Sequence, residues 1–339
     1  MIKEAIAKLV DGIDLTEQEA CAAMDEIMSG TATPAQISGY LTALRAKGET
    51  VDEITASARV MRSKALPVPE GRDAMDIVGT GGDCAFTFNV STVSSIVAAA
   101  AGVRIAKHGN RSVSSKCGAA DVLAALGVKI DLTPEQTGEV LKRTGICFMF
   151  AQIHHKSMKY AAGPRKELGI RTVFNILGPL SNPAGASYQI LGVYDEKLAE
   201  PLACVLNNLG VKRAMVVCGG TDGKSIDEIS LCGETVVCEL DNGKICKYIL
   251  SHEDFGLPAC TLASIEGGDS EENAKIARNI LSGERGPKRD TVLANAAAAL
   301  YLASKGSSLK ECVNLAAETI DSGKAMRKLD EFVAATQAY

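Results

Sequence analysis

No two of the 11 cysteines stand in a C-x-x-C pair, no apolar run approaches the ~20 residues of a membrane helix, and no basic block interrupts the charge pattern. Each absence removes a class of function. Without paired cysteines there is no zinc-ribbon or thioredoxin-like motif; Cys21, Cys84, Cys117, Cys147, Cys204, Cys218, Cys232, Cys238, Cys246, Cys260 and Cys312 read as small hydrophobes of a reducing compartment. Arg104 and Lys107 break the longest apolar run, and the opening M-I-K-E-A-I-A-K-L-V-D-G has acidic residues too early for a signal peptide. A net charge of −5 spread over both signs argues against a sequence-independent grip on nucleic acid. The expected protein is cytoplasmic, with a small-molecule partner, no nucleic acid and no membrane. No Ser/His/Asp or Cys/His nucleophile arrangement is evident either, which suits a reaction run on positioning and electrostatics.

What is present is 339 residues of ordinary globular composition, 46% hydrophobic and 23% charged, long enough for a large core and two domains. Residues 1–66 read as helices. Thr16-Glu17-Gln18-Glu19, Thr33-Pro34-Ala35-Gln36 and Thr50-Val51-Asp52-Glu53 are capping boxes, and Ile37, Leu41 and Leu44, like Ile54, Ala58 and Met61, recur at helical spacing. These stripes serve either a private core or a subunit interface.

After the proline- and glycine-rich connector 64–72, short β-rich runs at 75–78, 103–106, 146–150, 189–193 and 213–218 alternate with helical stretches at 91–101, 119–126, 134–143 and 197–209. That alternation predicts an α/β fold: a small N-terminal helical domain, then a larger domain with a mostly parallel sheet flanked by helices and ligands at the strands' carboxyl ends. Runs 234–240 and 244–250 around Asp241-Asn242-Gly243 predict a hairpin, and the alanine-rich 292–303 a buried helix.

The chain is organised around 76–92, D-I-V-G-T-G-G-D-C-A-F-T-F-N-V-S-T. Gly79, Gly81 and Gly82 form a flexible loop between strand and helix, where backbone N–H groups converge and the helix adds partial positive charge. Thr80, Asp83, Thr87, Asn89, Ser91 and Thr92 crowd it with oxygens, so the expected guest is a phosphate. G-T-G-G-D-C is neither a dinucleotide fingerprint nor a Walker loop.

Three further clusters join it. The run 107–115, with Lys107, His108, Asn110, Arg111 and Ser115, reads as a cationic loop after strand 103–106. Asp227-Glu228, bracketed by Ile226 and Ile229 at another strand end, suits Mg²⁺, which takes one or two carboxylates plus substrate phosphates. In the glycine- and proline-rich 162–183, Arg165 and Arg171 either clamp a carboxylate or tie two segments together.

Taken in order, Gly79-Thr80-Gly81-Gly82-Asp83, Thr87 to Thr92, Lys107 to Arg111, Arg165, Arg171 to Leu180, Asn182-Pro183 and Asp227-Glu228 resemble the anthranilate phosphoribosyltransferase family, over the full length of the chain. The resemblance implies a homodimer and Mg²⁺. It implies transfer from 5-phosphoribosyl 1-diphosphate to the amine of anthranilate, with diphosphate released, in tryptophan biosynthesis; the complete absence of tryptophan accords with that. It implies two domains, 1–68 with 163–185 and 69–162 with 186–339. By matched position, Gly79, Gly82, Asp83, Thr87, Asn89, Val90, Ser91, Thr92, Lys107, Ser115 and Ala119 would bind the phosphoribosyl diphosphate, with Lys107 and the loop to Ser115 closing on it. Gly79, Asn110 and Arg165 would bind anthranilate, and Ser91, Asp227 and Glu228 Mg²⁺; no general base is implied. Ala119 stands where many members carry a serine. The rival readings are a pyrimidine nucleoside phosphorylase, which usually has an extra C-terminal domain, and a non-catalytic relative that binds nucleic acid.

Overall fold

In the computed structural model, which describes residues 1–112, 116–221 and 223–339, the three predicted capping boxes start three helices. After α1 (Ile2–Val10), the Oγ1 atoms of Thr16, Thr33 and Thr50 accept the N3 backbone N–H of α2 (Glu17–Met28), α3 (Pro34–Lys47) and α4 (Val51–Lys64). The side chains of Glu19, Gln36 and Glu53 reach back to the cap N–H. Each cap contributes about 1 kcal/mol. Glu53 does more than cap: fully buried, it also accepts the Leu15 N–H at 2.9 Å and the Lys47 ammonium at 3.0 Å, joining three segments through one carboxylate. The apolar stripes of α3 and α4 are buried within the chain itself, so the private-core reading holds for them.

The sheet comprises β1 (Met75–Gly79), β2 (Ile105–Gly109), β3 (Ile146–Phe150), β4 (Tyr188–Gly192), β5 (Arg213–Thr221), β6 (Lys224–Ile226), β7 (Thr235–Asp241) and β8 (Lys244–Leu250). Its order is β3-β2-β1-β4-β5-β7-β8, with β6 paired to β5. The first five strands of that order are parallel; β6, β7 and β8 join antiparallel. The β7–β8 turn places Asn242 at φ 47° and Gly243 at φ 90°, the left-handed pair a two-residue hairpin turn needs.

Two apolar cores lie on the two faces, and strand alternation sorts residues between them. Met215 and Val217 face one, with the helices Val90–Ala100 (α5) and Pro287–Leu302; Ala214, Val216 and Cys218 face the other, with Leu202, Leu206 and the N-terminal helices. The alanine-rich stretch is buried as expected, because only small side chains let its helix lie close against α5.

One boundary is corrected. Strand β2 spans 105–109 rather than 103–106, its register running from Ile105 opposite Ile146 to Gly109 opposite Phe150. Lys107 is therefore a buried strand residue, 3% exposed, and not part of a cationic loop. The run 113–115, with Ser115, lies outside the described residues, as does Asp222.

This topology places the site. The chain leaves β1 toward β2 and β3, then returns to β4 on the other side of β1, so strand order reverses between β1 and β4. Ligands of open α/β sheets bind in the crevice at such a reversal. Gly79 and Gly192, the last residues of β1 and β4, lie side by side there.

Candidate active site

The loop after β1 is held open by backbone geometry that only glycine adopts freely. Gly81 and Gly82 have φ of 68° and 76°, and the Thr80 N–H donates to the Gly192 carbonyl at 2.9 Å. The Gly81 N–H donates to Asp227 Oδ2 at 2.6 Å, and the Asp227 N–H reaches Asp83 Oδ2 at 3.4 Å. Further on, the loop is edged by a second segment: Phe88 N–H donates to the Ile265 carbonyl at 3.2 Å, Gly267 N–H to the Phe86 carbonyl at 2.9 Å, and Thr87 bridges Glu266. Asn89 Nδ2 donates to the Cys117 carbonyl at 3.1 Å, while its Oδ1 accepts Asn273 Nδ2 at 2.9 Å.

Asn89 caps α5 without using its side chain on the helix. Val90, the first helical residue, is buried, and the Ser91 N–H behind it donates to Glu228 Oε1 at 3.1 Å. An acidic side chain thus sits where the helix terminus favours negative charge. The Oγ1 atoms of Thr80 and Thr92 are buried without a hydrogen-bond partner among the described residues, an arrangement that a ligand or water would satisfy.

Beneath the two carboxylates lies Lys107. Its ammonium contacts the Ile77 carbonyl and donates to Ser91 Oγ at 3.2 Å. Burial pulls the Lys107 pKa down, opposed by the charges of Asp76, Glu228 and Asp227. Asp76 is fully buried on β1; its carboxylate accepts the His108 N–H at 3.1 Å and Asn182 Nδ2 at 2.7 Å, and burial pushes its pKa up to about 6. The carboxyls of Asp227 and Glu228 are also raised well above the ordinary range. Loss of solvent is the main cause, with the neighbouring charge of Asp83 adding for Asp227 and that of Asp227 for Glu228. So the crevice disfavours the charged form of both carboxyls, and a cation placed there would favour it.

Backbone packing fixes the acidic pair. Asn295, buried on helix Pro287–Leu302, clamps Ile229 through both groups: the Ile229 N–H donates to Oδ1 at 3.0 Å, and Nδ2 donates to the Ile229 carbonyl at 3.0 Å. A Cβ on Gly192 or Gly79 would collide with Asp227, at Gly79 with its carboxylate, lying 2.7 Å from Cγ. Gly79→Ala is therefore expected to cost about 1–3 kcal/mol of stability, the range for overpacking. It should also displace Asp227; thermal unfolding together with Mg²⁺ titration checks both effects.

Among the described residues, no group of three or more His, Cys, Asp or Glu is arranged to hold a metal by protein ligands alone. The all-oxygen set of Asp227, Glu228 and the Ser91 hydroxyl nonetheless suits Mg²⁺, which retains waters and shares its coordination with phosphate.

Of the residues predicted from sequence, Gly79, Asp83, Ser91, Lys107, Asp227 and Glu228 are linked by these contacts, with Gly82, Thr87, Asn89, Val90 and Thr92 on the same loop and helix end. Ala119 opens helix Ala119–Ala125, its Cβ 3.1 Å from the position a Cβ on Gly109 would take. Asn110 is exposed just after β2, and Arg165 sits half-buried on helix Lys159–Leu168 with its guanidinium 5.2 Å from the Phe174 ring. Neither makes a hydrogen bond to the carboxylate cluster among the described residues. The two arginines of 162–183 separate: Arg171 ties segments, donating to the Gly82 carbonyl and stacking 3.9 Å from the Tyr194 ring. Arg165 has no ion-pair partner among the described residues, and burial lowers its pKa. Sequence reasoning missed Asp76, Asn273 and Asn295; a polar residue inside a largely apolar stretch was the signal for Asp76 and Asn295, and Asn273, on the charged helix Ser270–Leu281, had none.

The chain is similar to known proteins over its whole length. Residues 3–65 match the helical bundle domain of a glycosyl transferase family, and 71–326 its α/β domain. The anthranilate phosphoribosyltransferase of Ruminiclostridium cellulolyticum is 55% identical over 339 residues, covering 100% of this chain and 98% of that protein. The crystal structure of anthranilate phosphoribosyltransferase (TrpD) from Thermus thermophilus superposes with a TM-score of 0.92 at 45% identity, covering 98% of this chain and 99% of that one. The Saccharomyces cerevisiae enzyme, solved in complex with PRPP and Mg, gives a TM-score of 0.90 at 30% identity, over 100% of this chain and 98% of its own. With agreement over the whole length and in both matched domains, the chain belongs to the anthranilate phosphoribosyltransferase family.

Proposed function

We propose that the crevice between β1 and β4 carries out the family's reaction, with the phosphoribosyl diphosphate in the glycine loop and anthranilate toward the helical domain. The reaction itself is phosphoribosyl transfer from 5-phosphoribosyl 1-diphosphate to anthranilate, a step of tryptophan biosynthesis. One observation carries the assignment of roles: the two N–H groups best placed for an anion, those of Gly81 and Ser91, are occupied by the carboxylates of Asp227 and Glu228. A diphosphate would take those donors, turning both carboxylates toward the cation that accompanies it.

In this reading Gly79, Gly82, Asp83, Thr87, Asn89, Val90, Ser91, Thr92, Lys107, Ser115 and Ala119 hold the phosphoribosyl diphosphate, and Ser91, Asp227 and Glu228 hold Mg²⁺. When bound, Mg²⁺ neutralises charge on the departing diphosphate. Lys107 fixes the Ser91 hydroxyl and offsets the acidic pair, and Gly81 and Ser91 offer N–H donors to developing charge. The anomeric carbon spreads positive charge into its ring oxygen as diphosphate leaves. The anthranilate amine is neutral near pH 7 and needs orientation rather than deprotonation, which Asn110 and Arg165 supply, with Gly79 at the boundary.

We divide the chain into 1–68 with 163–185 and 69–162 with 186–339; Phe174, Ile176, Leu177 and Leu180 pack with α1–α4 in a core that Leu191, Leu202 and Leu206 also join. We assign the enzyme to the cytoplasm and to a homodimer through the helical domain; no helix among the described residues is long and apolar enough to cross a membrane. The test is loss of anthranilate fluorescence on adding phosphoribosyl diphosphate and Mg²⁺, with thymidine or uridine plus phosphate as controls. Turnover only in the first mixture is expected. Turnover in the controls alone would replace this reading with a nucleoside phosphorylase.

A further inference from the structure

Two thiols lie side by side next to the acidic loop, without a part in the chemistry described above. Cys232 follows Glu228 by four residues, and its Sγ is 3.4 Å from that of Cys260, 28 positions further along. Backbone contacts keep them together: the Cys260 N–H donates to the Leu231 carbonyl at 2.9 Å, and the Cys232 N–H to Ser230 Oγ at 2.9 Å. Both are half-buried, and neither belongs to a helix or strand. A disulfide needs the sulfurs roughly 1.3 Å closer, within reach of irregular backbone.

The two segments have separate attachments. Cys232 hangs from the loop of Asp227 and Glu228. Cys260 leads through the short turn Leu262–Ile265 to Glu266 and Gly267; Ile265 accepts the Phe88 N–H, Glu266 bridges Thr87, and Gly267 donates to Phe86 of the glycine loop. We propose that Cys232 and Cys260 are a redox-reactive pair that closes to a disulfide under a peroxide oxidant and so couples thiol oxidation to the phosphoribosyl diphosphate side of the crevice. The Cys260 thiol is lowered to about 7, mainly by its hydrogen bond with Cys232 and further by Ser264 and Thr291, against burial. It is thus the sulfur more readily ionised for attack.

The step balances. The Cys260 thiolate attacks one oxygen of hydrogen peroxide, breaking the O–O bond to give a sulfenic acid and hydroxide. The Cys232 sulfur then attacks the Cys260 sulfur, the S–O bond breaks, and the thiol proton leaves with the hydroxyl as water. Overall two thiols lose two protons and two electrons, and peroxide becomes two waters. Drawing the sulfurs together shifts the acidic loop against the segment that edges residues 86–88, which changes the spacing between metal and diphosphate groups.

The functional half of this inference rests on the site reading above, and the chemical half does not. Intact enzyme is treated with hydrogen peroxide and digested without reduction. A cross-linked peptide pair joining Cys232 to Cys260, two hydrogens lighter than its parts and absent from Cys232→Ser and Cys260→Ser, is expected. Independent oxidation of each thiol, or a link formed only after denaturation, would overturn the pair. In parallel, KM for phosphoribosyl diphosphate should rise roughly threefold or more in oxidised enzyme, recover with dithiothreitol, and stay unchanged in oxidised Cys260→Ser. A cross-link with unaltered KM, or an equal rise in Cys260→Ser through another thiol such as exposed Cys84, would overturn the coupling.

Discussion

Changing Asp227 to Asn and Glu228 to Gln together is expected to lower kcat/KM for phosphoribosyl diphosphate by ~10³-fold or more, since metal charge stabilisation is worth several kcal/mol and each ~1.4 kcal/mol is tenfold in rate. Steady-state kinetics across a Mg²⁺ titration measures it, and full activity in the double variant would remove both residues from the metal site. Stability should move the other way. Burial and mutual charge raise both carboxyls in the folded protein, so the folded state keeps protons that the unfolded chain has released. The stability these groups contribute is therefore fully present below the unfolded carboxylate range and is lost as pH rises through the raised folded values. Without Mg²⁺, the thermal midpoint of the unaltered enzyme should fall more between about pH 5 and about pH 9 than that of the double variant, and Mg²⁺ with phosphoribosyl diphosphate should narrow the gap. Parallel melting curves with identical slopes would contradict the electrostatic account.

Arg165→Ala should raise the anthranilate KM by an amount corresponding to about 2–5 kcal/mol, the cost of removing one partner from a desolvated charge pair. The expectation comes from contrast. Arg171 is committed to the Gly82 carbonyl and the Tyr194 ring, whereas Arg165, partly buried over Phe174, has no carboxylate partner among the described residues. A guanidinium in that position gains from an incoming carboxylate. The KM for phosphoribosyl diphosphate should change little, which separates loss of the acceptor's handle from general damage. An unchanged anthranilate KM would exclude Arg165 from the site.

The capping boxes at Thr16, Thr33 and Thr50, the Asn242-Gly243 turn and the alternation of strand and helix were legible because they are local: neighbouring residues settle their own hydrogen bonds and φ angles. For the same reason Gly81 and Gly82 announced an open loop. Lys107 misled a local reading, because a lysine after an apolar run looks like the start of a loop. It stays in β2 only because Ile77, Ser91 and the acidic residues, brought from 16 or more positions away in sequence, surround its ammonium.

By itself the sequence determined the helical opening, the α/β class, the glycine loop and, through several motifs in order, the family. It determined them because propensity, periodicity and turn chemistry act over a few residues, and because motifs can be recognised without coordinates. Only the tertiary structure decided which groups meet: Asp227 over the ends of β1 and β4, Glu228 on the first turn of α5, Asn295 clamping Ile229 from a helix 66 positions away, and Arg171 rather than Arg165 holding Gly82. Those encounters follow from the reversal of strand order between β1 and β4. That reversal brings distant strand ends to one edge, and the burial it creates shifts the charges the loop sequence alone left unspecified.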